Sequence, residues 1–431
     1  MRHPRVALTP ARLIAAAAAL ALVLGACGPR SAGTVGAVGA VGADPVSRTA
    51  AIPDVLSVAT ATGTLRIDAA AGRTLVTLPD GAATPDWRRY WTVATANVSP
   101  GTARTTLREL DPATGAELRS LTIDGRWAMP SSYGTAPSGF STDGHWLVLA
   151  APQTIVGTAT TSAFAVIDTV QGTLARTVVA TGDHTFDAIS ADGRSLYVVE
   201  HLGAPNEYRV RVAGGGGAAL SVTPIVNIKV AAPQMNGIYH SSVAQPNGTW
   251  NYGLYFSPTR GAFVHALNTS QLYAQCILDV PDGGPGVRPA WSMLLSPTGG
   301  HLYLVNGPAG IIADVGPESL RLERKELRLV LPVATTERRP VHGAAISPDG
   351  SRVYAVAERG ILVITTADLA VKARYLPATP IRSVALSADG QRLYVLAEDG
   401  TLTRLDAATG KPAGTVPTSR GATALLGVAV P

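Results

Sequence analysis

A chain of 431 residues, 46% hydrophobic and only 15% charged, has ample material for a core. Its 45 glycines and 31 prolines favour many short strands and tight turns over long helices. Three of the charges behind the formal +5 are Arg2, Arg5 and Arg12; the remainder carries +2 without a basic block, which excludes an electrostatic nucleic-acid surface.

Arg2, Arg5 and Arg12 precede an apolar run from Leu13 to Leu24, and Gly25 and Ala26 follow. A basic start, a short apolar stretch and small residues make a secretory signal peptide. The run is too short to span a bilayer comfortably. The tetrapeptide Leu24-Gly25-Ala26-Cys27 resembles the bacterial lipobox. That resemblance implies that the Cys27 thiol receives a diacylglycerol and that cleavage makes Cys27 the new N-terminus. Two acyl chains anchor stably where one does not. Residues 1–26 are thus expected to be a signal peptide, and 27–53 a lipidated cysteine with a Gly/Ala/Val-rich tether. Residues 54–431 form the folded domain. The expected location is the outer face of the cytoplasmic membrane, or the periplasm or cell surface, held by lipid. With Cys27 acylated, Cys276 has no intrachain disulfide partner and reads as a packed strand residue.

From Pro85 onward a short pattern recurs: apolar alternation, Ser-x-Asp-Gly, then an apolar strand with Leu-Tyr-Val. The clearest copies begin at Ser190, Ser347 and Ser387, and looser ones at Ser141, Gln245 and Ser296. Pro85-Asp86-Trp87 is the most degraded. The acid accepts hydrogen bonds within its own turn, and glycine takes the positive φ that reverses the chain. Alternation on either side gives strands with one buried face. A second turn signal, Asp-x-x-x-Gly, runs from Asp68, Asp111, Asp168 and Asp406.

The third positions of the seven copies, Asp86, Asp143, Asp192, Asn247, Thr298, Asp349 and Asp389, stand 40 to 57 residues apart. That is the length of a four-stranded propeller blade. Residues 55–79 hold later strands of a unit without its first turn, and 422–430 read as a first strand without its sequel. Pairing the two would close a ring and remove the last open sheet junction. The expected fold is therefore all-β: a single β-propeller of eight blades, or seven if the Pro85 unit belongs to its neighbour. The repeats resemble the YVTN-type, WD40-like β-propeller repeat family over about residues 54–431. The resemblance implies a fold far more than a function, since its motifs are turn and strand chemistry.

Propellers usually act where loops enter the innermost strands. The residue five before each copy is His240, Trp291, His342 or Arg382, and His184 lies six before Ser190. Pro289, Pro340 and Pro380 stand two residues upstream of the last three and stiffen the entering loops. These five side chains form a candidate ring at one channel mouth, suited to an anionic or aromatic ligand or serving only to plug the channel. No nucleophile elbow, phosphate loop or His-Glu-x-x-His is present, so no catalytic residue, metal ligand or cofactor is assigned. The reading is a non-catalytic scaffold for an unknown protein or small molecule. Its alternatives are a lactonase-like hydrolase and the propeller subunit of an exported redox complex.

Overall fold

Each Ser-x-Asp-Gly tetrapeptide closes a hairpin by the same hydrogen bonds. Ser190 Oγ donates to Asp192 Oδ1 (2.6 Å), which also accepts from Arg194 N (3.0 Å), while Ser195 N donates to Ser190 Oγ (2.9 Å). The turns at Ser141, Ser347 and Ser387 repeat the serine-to-aspartate bond. The glycines Gly144, Gly193, Gly350 and Gly390 all lie at φ between 69° and 73°, where an L side chain is strained. The degraded copy builds the same turn: Thr84 Oγ1 donates to Asp86 Oδ1 (2.7 Å), and Trp87 takes the glycine position at φ 56°.

The computed structural model describes residues 54–130, 139–156, 159–225, 235–280, 290–327, 342–417 and 421–429. The signal segment, Cys27 and the tether lie outside them, as do Pro289, Pro340 and the Cys276 side chain. The described secondary structure is all β, in eight small sheets arranged as a ring. The fold is an eight-bladed β-propeller.

The blades follow chain order. The first runs from Gly81–Ala83 to Glu117–Asp124, and the third from Asp183–Ile189 to Met235–Asn236. The fourth runs from Ile238–Ala244 to Tyr273–Asp279, and the fifth from Ser292–Leu295 to Arg321–Leu327. The sixth spans Ala344–Ile346 to Val371–Tyr375, and the seventh Ile381–Leu386 to Pro412–Val416. The second is irregular. Where an inner strand would lie it has two isolated bridges, Ala128 to Ala150 and Phe140 to Leu147. The eighth blade is made from both ends of the propeller. Ala424–Ala429 pairs antiparallel with Val55–Thr60, Val55 opposite Ala429 and Ala59 opposite Ala424.

Burial follows the gaps between blades. Among the described residues eight hydrophobic clusters occur, and each joins two neighbouring sheets. Leu254 and Leu304 meet between the fourth and fifth blades, and Val356 and Val395 between the sixth and seventh. This is the packing expected when a four-stranded sheet has two apolar faces and no helix to cover them. The junction between eighth and first blades is the smallest, with Leu78, Tyr90 and Leu110 at its centre. Polar contacts reinforce it: Tyr90 Oη donates to Pro79 O (2.9 Å), and the Arg66 guanidinium lies 4.9 Å from the Trp87 ring centroid.

The motif tyrosines tie blades together. Tyr197 Oη donates to Thr269 O (2.8 Å) and Tyr354 Oη to Ala407 O (2.9 Å), each reaching the next blade. The hairpin turns also nest, since Cβ atoms added at Gly299, Gly350 and Gly390 would touch Pro246, Pro297 and Pro348 of the preceding turn.

Candidate functional site

Several inner strands carry a β-bulge, and the bulges decide which side chains are re-aimed. Pairing skips one residue at Asp187 (between Phe186 and Ala188), at His240 (between Tyr239 and Ser241) and at Arg382 (between Ile381 and Ser383). A bulged residue leaves the ladder, and its side chain is freed from strict alternation.

Where the first four blades meet, their inner residues and hairpin turns line a partly open cavity of about 470 Å³. Its wall includes Pro85 from the first blade, Phe140 and Ser141 from the second, Phe186 and Asp187 from the third, and Tyr239, Gln245, Trp250 and Asn251 from the fourth. Turn nesting shapes this rim. A Cβ on Gly248 would meet Thr142 of the second blade as well as Ala191 of the third.

Asp187 is the chemically distinctive group. It is 8% exposed, and its carboxylate has neither a hydrogen bond nor an ion pair among the described residues. Burial pushes it up to about 7, because a charge removed from water is destabilised when nothing compensates it. The neighbouring phenols of Tyr208, Tyr239 and Tyr255 are raised as well, by burial first and by the Asp187 charge second. Tyr239 Oη donates to Ser242 Oγ (2.7 Å), and its ring meets Tyr255 edge-on at 5.5 Å. Tyr255 stacks on Tyr208 at 4.8 Å. Most other polar groups of the wall are committed: Ser141 to Asp143, and Gln245 Oε1 to the Thr249 hydroxyl (3.0 Å). The Asn251 side chain, nearly buried and opposite Ala244 in register, makes no hydrogen bond among the described residues.

The five residues expected at a channel mouth take varied environments. His240, Trp291, His342 and Arg382 do occupy equivalent positions. Each directly precedes a residue, Ser241, Ser292, Gly343 or Ser383, that bonds to the second strand of its blade. Their side chains differ. Trp291 is buried in the core between the fourth and fifth blades, its indole N–H without a partner. His240 is buried against Phe256, edge to face at 5.1 Å, with Nε2 3.3 Å from Trp291 O. His184 is buried, and its backbone N–H donates to Ser162 Oγ (2.9 Å). Burial lowers both histidines. His342 is exposed, with φ 54°, and its carbonyl accepts from Val384 N (3.2 Å). An Arg382 guanidinium nitrogen lies 3.5 Å from Glu398 O. Only His240 and Trp291 are brought into direct contact. Among the described residues no three His, Cys, Asp or Glu side chains converge as a metal site would require.

Counting back from the turn misses Asp187, because the third blade's bulge stands three residues before Ser190, two nearer the turn than the bulges at His240 and Arg382. The available signal was an acid inside an otherwise apolar strand, Phe186-Asp187-Ala188-Ile189.

No protein-family model matches the chain, and no curated protein matches it. Solved structures do. Dihydro-heme d1 dehydrogenase NirN, in complex with DHE, is 14% identical over 90% of this chain and 77% of that one, with a TM-score of 0.52. Apo AztD from Citrobacter koseri is 14% identical over 88% of this chain and 98% of that one, with a TM-score of 0.51. The periplasmic gluconolactonase PpgL of Pseudomonas aeruginosa is 19% identical over 80% of this chain and 100% of that one, at 0.44. Identities this low establish the fold and nothing finer.

Proposed function

We propose that the chain is an exported lipoprotein, anchored through acylated Cys27, whose propeller binds a ligand without transforming it. The observation that carries the binding half is the cavity at Asp187, a built recess whose carboxylate has no partner among the described residues. Recesses lined by apolar and aromatic side chains with a few convergent polar groups are the usual form of small-molecule sites. The Ser141 and Ser242 hydroxyls on its wall are bonded to Asp143 and Tyr239, so neither is paired with a histidine base as a hydrolytic nucleophile would be. The anchoring half is supported by the basic, apolar and small-residue succession ending at Cys27.

Expression of the full chain beside a Cys27→Ala variant tests both halves. The wild type should partition into the detergent phase and carry the mass of added acyl groups, while the variant stays aqueous. Neither should turn over a panel of lactones, with or without divalent metal. An unacylated wild type overturns the anchor, and lactone turnover that saturates with substrate overturns the non-catalytic reading.

A further inference from the structure

We propose that the cavity at Asp187 binds a small organic cation, its ammonium group set against the Asp187 carboxylate within an aromatic wall. This rests on the reading of the propeller as a binding module and names the ligand class for that site.

Four features carry the assignment. First, Asp187 is more than nine-tenths buried, lines the cavity and is unpartnered among the described residues. Second, among the described residues no lysine, arginine or histidine lines that cavity, and none neutralises the carboxylate. A buried anion is destabilised unless a countercharge reaches it, and the open space beside this one leaves that part to a ligand. Third, Phe140, Phe186, Tyr239 and Trp250 contribute to the wall, and aromatic faces attract ammonium groups, most strongly where water is excluded. Fourth, several polar groups that a sugar or other polyol would need are already engaged, Ser141, Ser242 and Gln245 Oε1 each within the protein. Asp187, the Asn251 amide, the Thr142 hydroxyl and the Gln245 amide nitrogen remain. One anion among a few neutral hydrogen-bonding groups suits an alkylammonium carrying a hydroxyl or comparable polar end.

Asp187 is held on a bulge between two residues that pair normally with the second strand. Its direction is therefore set by the backbone, and the site is preformed.

Calorimetric titration of the full chain in mild detergent tests the assignment, with choline, ethanolamine and benzylamine as probes. The neutral isostere 3,3-dimethyl-1-butanol and glucose serve as controls. At pH 8 at least one amine should bind, and the neutral isostere should bind at least about tenfold more weakly than choline. Asp187→Asn should weaken amine binding by about tenfold or more, the scale of a lost charge-assisted hydrogen bond. Phe186→Leu should weaken it severalfold and keep the test open if the first variant does not fold. The assignment is overturned if no amine binds, if the neutral isostere binds as well as choline, or if Asp187→Asn leaves amine affinity unchanged. Lactone turnover and detergent partition decide the underlying reading separately, so either can fail while the other stands.

Discussion

Asp54 and Arg392 stand 338 positions apart in the chain, yet Asp54 Oδ2 accepts from Arg392 Nε at 2.6 Å. The carboxylate also accepts from Arg392 Nη2 (3.2 Å) and from Tyr394 Oη (2.6 Å), and Arg392 reaches on to Asp389 (2.9 Å). The backbone explains the position. Asp54 O accepts from Ala69 N, just as Gln391 O accepts from Ala407 N one blade earlier. Asp54 therefore stands where the residue after the turn glycine stands in an intact blade. The eighth blade has no covalent hairpin there, and the carboxylate binds it to the seventh blade instead.

Removing this clasp should weaken ring closure. Asp54→Ala leaves Arg392 and the Tyr394 hydroxyl short of an acceptor, with a loss of about 2–4 kcal/mol. Tyr394→Phe, which removes one donor and leaves the ion pair, should lose about 1 kcal/mol. Urea unfolding of each variant beside the wild type measures both. Equal losses would mean that the ion pair adds nothing to the hydroxyl's bond.

Trp87 occupies a turn position that glycine fills elsewhere, and its φ of 56° strains an L residue by about 1–2 kcal/mol. Its ring compensates by packing at the smallest inter-blade junction, against the Arg66 guanidinium. Trp87→Ala loses the ring and keeps the strain, whereas Trp87→Gly loses both. The glycine variant should therefore be the more stable of the two by about 1 kcal/mol, although both fall below the wild type. Their difference in unfolding free energy is the quantity to measure.

Two glycines separate backbone strain from close packing. Gly101 has φ 78° with nothing within 4 Å of an added Cβ, so Gly101→Ala should lose about 1 kcal/mol from conformation alone. Gly193 has φ 69°, and an added Cβ would run into the Trp146 ring. Gly193→Ala should lose about 3 kcal/mol or more, because the ring must move out of the core between the second and third blades. Thermal melts of the two variants give the comparison.

The buried titratable groups tilt stability in opposite directions. Asp187 is raised to about 7, above its unfolded value, so the native state holds the extra proton between pH 4 and 7. Stability from this group is present at low pH and is lost as pH rises through 7. Burial lowers His265 to about 4 and also lowers His184 and His240, and these lose stability as pH falls below 6.5. The phenols facing Asp187, those of Tyr208, Tyr239 and Tyr255, are raised and stay neutral throughout. The difference between Asp187→Asn and wild type isolates the one group. The variant should gain about 2 kcal/mol or more relative to wild type between pH 5 and pH 8. A gap that does not change with pH would mean that Asp187 is not held in its neutral form by burial.

Turn chemistry made most of the fold legible. Ser-x-Asp-Gly is a local structure whose partners lie within five residues, so its spacing reported the blades and its absence at both ends reported the closure. The outer turn was half visible, for a physical reason. In the fourth, fifth and sixth blades its glycine is replaced by Leu272, Leu320 and Leu369, at φ 58°, 47° and 54°. Leu320 and Leu369 are buried between blades, and that packing offsets the strain a sequence pattern would forbid. The cavity was not legible, because it depends on contacts across blades and on a bulge. One skipped residue re-aims Asp187; the acid in an apolar strand marks the position, but the local sequence does not register the bulge that turns it toward the cavity.

The most direct test of the account is the affinity of the full chain for choline at pH 6 and pH 8, for wild type and Asp187→Asn. With the carboxylate titrating near 7, wild-type affinity should rise by about tenfold between the two, while the variant is weak and flat. An affinity that ignores pH, or a variant that binds as the wild type does, would contradict it.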